Sequence, residues 1–168
     1  ISATDLIGLL NQLQAENPAL EIILIADCPY AGKFVEANRN SEFYSRVILA
    51  GASSTDRGFY LRGDANLSFS RELFGKAFQG YNLYESFRSA RTKMSDLLGK
   101  TTPMMDENGD GISDKKDSRL AKGWYIGRRG ALAGPGAASL PTLLSATADI
   151  DPEGLAVRVD ILEGAEPA

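Results

Sequence analysis

No histidine occurs anywhere in the 168 residues, and cysteine occurs once, at Cys28. The first absence removes the side chain most often used as a general base near neutral pH and the commonest transition-metal ligand. Hydrolysis or zinc chemistry by this chain alone is therefore not expected. The second rules out an internal disulfide and any multi-cysteine metal site. No basic run is long enough to follow a phosphate backbone, and 22 acidic against 18 basic residues leave a net charge of −4, so nucleic acid is not an expected partner. No apolar run approaches the roughly 20 residues of a bilayer-spanning helix, and the residues after Ile1 lack the basic, apolar and small-residue order of a secretory signal.

What is present is a 43% hydrophobic composition, enough for one domain with a core and a tail. Ser2 with Asp5 three residues on forms a capping-box signal for a first helix, in which Leu6, Leu9, Leu10 and Leu13 recur at helical spacing until Pro18. Glu21 to Ala26 is short, continuous and isoleucine-rich, the composition of a central strand buried on both faces, and it delivers Asp27 and Cys28 to the strand's carboxyl end. Arg46 to Ala52 predicts a second, parallel strand. Helical periodicity follows over Leu67 to Phe78 and over Leu83 to Leu98. The second of these is capped by Asn82, with Phe87, Ala90, Met94 and Leu97 on one face, and Gly80 and Gly99 close the two helices.

From Lys100 to Asp117 the chain is polar and aspartate-rich, and Trp124 to Gly127 predicts a last short strand. The composition divides the chain into an α/β domain over 1–129, a Gly/Ala/Pro-rich linker over 130–146 and a β-rich tail over 147–168. In that tail Leu155, Val157, Val159 and Ile161 alternate with Ala156, Arg158 and Asp160. The tail reads either as the start of a β-rich neighbour or as an edge strand of the domain. Arg62-Gly63-Asp64 reads as a turn, Gly51 with Ser53 and Ser54 lacks the spacing and lysine of a nucleotide loop, and Trp124 and Tyr125 read as core aromatics.

Asp106 to Asp117 fits a twelve-position calcium loop. Asp106, Asn108 and Asp110 stand at positions one, three and five, Gly111 at six, the Ile112 carbonyl at seven, Asp114 at nine and Asp117 at twelve. A hard cation takes six to eight oxygens, and alternate residues of a tight turn bring them inward while glycine permits the bend. Position twelve is Asp rather than Glu, so its shorter arm weakens the expected affinity. The expected role is structural: calcium orders a long loop that has no core of its own.

The order of these pieces is similar to one known group. A buried strand is followed by Asp27-Cys28-Pro29-Tyr30-Ala31-Gly32-Lys33-Phe34, a second strand ends Ala-Gly-Ala-Ser, Ser68 to Ser70 opens a helix, and Thr102 to Gly127 carries the Asp loop and Trp-Tyr-Ile-Gly. Over Ser2 to Gly127 the chain resembles the bacterial caspase-like relatives of legumain and gingipain. The resemblance implies a three-layer caspase-like fold with a mostly parallel sheet flanked by helices. It also implies an extracellular or cell-surface setting, where calcium is abundant.

In that group the strand-end cysteine of Asp-x-Cys-Tyr-Ser-Gly-x-Phe is the nucleophile, a histidine on the preceding strand is the base, and members with this aspartate cleave after basic residues. This chain has no counterpart of that preceding strand, which suggests a fragment, a processed subunit or a degenerate domain. Aligned on Tyr30, Gly32 and Phe34, Asp27 falls on the family aspartate, Cys28 on the variable residue and Pro29 on the nucleophile. Proline has neither a nucleophilic group nor an N–H for an oxyanion hole. A one-residue bulge would instead bring Cys28 into the nucleophile's place.

Two expectations follow. One is a non-catalytic module of a larger secreted or surface protein, stabilised by calcium and serving assembly or binding of a protein or peptide, another copy or a neighbouring β-domain. The other is a cysteine endopeptidase with Cys28 as nucleophile, Asp27 as the pocket acid and a histidine from an upstream segment or another chain. Packing of Cys28 as a small apolar residue, and of Asp27 as a capping carboxylate, are the corresponding non-catalytic roles.

Overall fold

The computed structural model describes residues 1–41, 45–58, 67–98, 101–126, 144–151 and 154–161, with the backbone alone for 96–98, 144–151 and 154–161. The Arg62-Gly63-Asp64 tripeptide, Gly99, Gly127 to Arg129 and the linker as far as residue 143 lie outside the described residues.

Helix α1 (Ala3–Glu16) starts as the sequence predicts: the Ser2 hydroxyl accepts the Asp5 N–H at 3.1 Å and the Asp5 carboxylate accepts the Ser2 N–H at 3.2 Å. Its buried face differs from the leucine pattern. Ile7 (3% exposed) and Gln14 (1%) point inward, whereas Leu9 (53%) and Leu13 (48%) face out. The physical reason is polar: Gln14 donates to the carbonyls of Leu20 and Ser45, and that fixes the helix's rotation.

Strand β1 (Ile22–Ala26) runs parallel to β2 (Arg46–Ala50), and β3 (Met104–Asp106) lies antiparallel on the other side of β2. The described sheet is thus mixed, in the order β1-β2-β3. The central, wholly buried strand is β2, and β1 is an edge of the described sheet with Ile22 to Ile25 half-buried. β3 lies inside the polar, aspartate-rich stretch, where the Met104-Met105 pair is too short to give a period.

Successive β2 side chains point to opposite faces and seed two cores. Val47 and Leu49 join Met105, Phe69, Leu73, Leu83, Phe87, Ala90 and Met94 under α3 (Phe69–Ala77), α4 (Leu83–Leu98) and α5 (Arg119–Gly123). Ile48 and Ala50 join Ile7, Ala26, Ala31 and Val35 under α1 and α2 (Gly32–Ala37). The result is a mixed α/β domain with helices on both faces of the sheet.

Trp124 to Ile126 forms no strand. The Trp124 carbonyl instead accepts the Leu83 N–H at 2.8 Å, satisfying one of the orphan donors of the first turn of α4, while Trp124 and Ile126 pack on the core beneath it. The C-terminal residues form a hairpin, β4 (Leu144–Asp151) with β5 (Gly154–Ile161), rather than a single strand, and β4 begins inside the 130–146 stretch read as linker.

Candidate functional site

The strand register separates the two groups of candidate residues. Ala26 pairs with Ala50, so Asp27 and Cys28 follow at the carboxyl end of the parallel pair. Asp106 pairs with Ile48, and the antiparallel direction of β3 carries the Asp loop the other way, towards Arg46. Asp106 is already on the order of 10 Å from the level of Asp27 along the strands.

At the carboxyl end, the Asp27 carboxylate accepts the Ser70 N–H at 2.9 Å, and the Ser68 hydroxyl accepts the Arg71 N–H at 3.2 Å. Together they cap α3, so the capping role expected of Asp27 is present in the geometry. Gly51 permits this contact, because a Cβ there would stand 2.9 Å from the Asp27 carboxylate and 3.0 Å from Phe69. Cys28 is half-buried against the α1–α2 core, and burial, then the Asp27 carboxylate, push its thiol above the ordinary range. Such a thiol is less ionised at neutral pH than a free cysteine, the reverse of an activated nucleophile. After Pro29 the chain turns through Tyr30 at φ 61°, held by its N–H on the Asp56 carbonyl at 2.7 Å and by Arg57 on its hydroxyl at 3.2 Å. Gly51, Ser53 and Ser54 leave no cradle, since Gly32 abuts the Ser53-Ser54 backbone so closely that a Cβ on it would lie 2.4 Å from the Ser54 nitrogen.

At the other end, Asp106 is buried. Its Oδ1 accepts the Gly109 N–H at 3.0 Å, and its Oδ2 accepts the Gly111 N–H at 3.3 Å and the Asn38 amide at 3.0 Å. Asn108 Oδ1 accepts the Asp110 N–H and Asp110 Oδ1 accepts the Ile112 N–H, at 2.9 and 2.8 Å. Gly109 and Gly111 take φ of 74° and 72°, the left-handed turn that position six demands. Asp117 is 1% exposed and staples the loop shut, accepting the Glu107 N–H at 3.2 Å and the Asp114 N–H at 2.8 Å. Asp114 turns outward, with Oδ1 on the Lys116 N–H and Oδ2 3.7 Å from the Lys116 amine.

Burial raises the carboxyl of Asp106 above the usual carboxylate range despite its hydrogen bonds, and burial together with the charges of Asp106 and Asp110 pushes Asp117 up to about 6. The donor set is all oxygen, the chemistry of a hard cation rather than of zinc or copper. Among the described residues no three Asp, Glu, His or Cys side chains are gathered tightly enough to hold a metal ion. The oxygens rest on the loop's own N–H groups: the residue types and their sequence spacing are those a calcium loop uses, while the side chains are turned to the backbone rather than to a common centre.

Four residues central to this end, Arg46, Gln14, Asn38 and Glu107, were not singled out in the sequence. Arg46, 1% exposed at the start of β2, donates from Nε and Nη2 to Gln14 Oε1 and from Nη1 to Asn38 Oδ1 at 2.9 Å, and Asn38 in turn donates to Asp106. This chain of buried polar contacts wires α1 to the Asp loop across the end of the sheet. Glu107, at position two of the loop, is also buried and accepts the N–H groups of Arg119, Leu120 and Ala121, capping α5. An arginine opening an apolar run and a glutamine on the face of Ile7 were the available signals.

The chain matches no family model, no curated protein and no solved structure. Among the described residues no helix is long and apolar enough to cross a membrane.

Proposed function

We propose that this chain is a non-catalytic module similar to the caspase and legumain group, part of a larger secreted or surface protein, in which calcium held by the Asp loop stabilises a domain that serves assembly or binding. The observation that carries this reading is the pair of buried carboxylates, Asp106 and Asp117, inside a loop of calcium spacing. Buried acids with raised proton affinity are costly to ionise without a countercharge. Asp106, Asn108, Asp110, Asp114, Asp117 and the Ile112 carbonyl would hold the ion, which supplies that countercharge. The thiol of Cys28, pushed up rather than down, supports the non-catalytic half.

Calorimetric titration of the chelator-treated chain is expected to give calcium-dependent heat, and saturating calcium is expected to raise the unfolding midpoint, as any ligand confined to the native state does. Asp110→Ala abolishes both effects. No heat, with identical midpoints in calcium and chelator, would overturn the loop's role.

The competing reading, a cysteine endopeptidase with its base on another segment, is supported by the position of Asp27 and Cys28 at the carboxyl end of parallel strands. Alkylation of Cys28 followed by intact mass separates the two. A reaction with an apparent pKa well below about 8.5 favours the peptidase, and a slow one favours the module.

A further inference from the structure

A groove of about 520 Å³ runs between α4 and the Asp loop. Its helical wall presents Tyr84, Arg88, Arg91 and Ser95, which recur every three or four residues and form one stripe about 16 Å long. The opposite wall is the second half of the loop, where Lys115 stands between Asp114 and Asp117. Two of the proposed calcium ligands therefore line the same groove as three cations.

The charges are unbalanced in one direction. Among the described residues, Arg88, Arg91 and Lys115 take part in no ion pair, although the protein as a whole carries a net charge of −4. Arg88 lies 5.7 Å from the centroid of the Tyr84 ring and Lys122 lies 4.9 Å from it, so the aromatic surface in the groove is flanked by Arg88 and by one further positive group, Lys122. Asp114 and Asp117 are the carboxylates that line the groove with these cations. Committing both to a divalent ion would leave the positive wall unopposed.

We propose that this groove receives an extended acidic segment of a protein partner and that calcium in the loop strengthens its capture. The stripe length selects an extended ligand, since about five residues of strand-like peptide cover 16 Å whereas a single phosphate reaches one end. Charge complementarity selects an acidic one. The coupling to calcium rests on the loop reading above, and it is reciprocal: the segment raises calcium affinity by the factor by which calcium raises the segment's.

The test uses the whole chain and a fluorescein-labelled pentaglutamate peptide, followed by anisotropy in calcium and in chelator, with calcium binding measured separately by calorimetry without peptide. Binding is expected to tighten about fivefold or more in calcium. The charge reversal R88E/R91E, and the milder R88Q/R91Q, should weaken it about tenfold or more while calcium heat persists and the chain still unfolds cooperatively, because both side chains are exposed and neither belongs to the loop. Calcium heat without peptide capture, capture that ignores the arginine changes, or preference for anionic vesicles over the peptide would each overturn the groove and leave the loop standing. Arginine-dependent capture that is equal in calcium and chelator, with no calcium heat, would overturn the coupling and the loop reading together.

Discussion

At the residue scale, Arg46 does the most with the least surface. Its guanidinium satisfies Gln14 and Asn38 at once, and through Asn38 reaches the buried Asp106. Removing it leaves acceptors and a carboxylate uncompensated, so Arg46→Ala is expected to cost about 3–5 kcal/mol in urea unfolding. Lysine, a single point charge without the fork, should recover little of this. Asp117 gives a pH signature in the calcium-free protein. Its native-state pKa, about 6, lies above its ordinary 3.8, so the native state holds the extra proton between those values. Stability should therefore fall as pH rises from about 4 to 6, with the contribution of this group at most about 3 kcal/mol. Asp117→Asn should flatten that part of the profile and leave the contribution of Asp106; an unchanged slope would show that Asp117 does not titrate in this window.

At the scale of elements, distant carboxylates help to finish helices, Asp27 beside Ser68 at α3 and Glu107 at α5. Ser118 makes no side-chain cap on α5, and Glu107 takes that role from across the loop, whereas Asn82 caps α4 from its own N-terminus through the Glu85 N–H at 2.8 Å. Asn82→Ala should cost about 1 kcal/mol. Glu107→Gln exchanges an anionic acceptor of backbone N–H groups for an amide with one oxygen, and should cost about 2–3 kcal/mol when measured in chelator. Equal effects of the two would mean that Glu107 is an ordinary cap and not part of a buried network.

At the scale of the whole molecule, the register places the strand-end cysteine and the Asp loop at opposite ends of the sheet. Sites so far apart with no shared partners are close to additive. Saturating calcium should therefore leave the alkylation rate of Cys28 within about twofold at a pH where the fold is stable. A larger change would reveal a link through β2 that the hydrogen bonds do not contain. The C-terminal hairpin bears on the same scale: β4 and β5 pair antiparallel from Leu144 opposite Ile161 to Asp151 opposite Gly154.

The sequence by itself determined what depends on near neighbours. The Ser2–Asp5 box, the Ser68 and Asn82 helix starts and the two apolar strands all involve residues a few positions apart, and all of these elements form as expected. Tertiary structure decided what depends on partners dozens of positions away. It made β2 rather than β1 the central strand, turned Gln14 rather than Leu9 and Leu13 inward, and buried Arg46 between α1 and the loop. Those choices follow from register and from which polar groups must find partners once water is excluded, and local pattern carries no information about either.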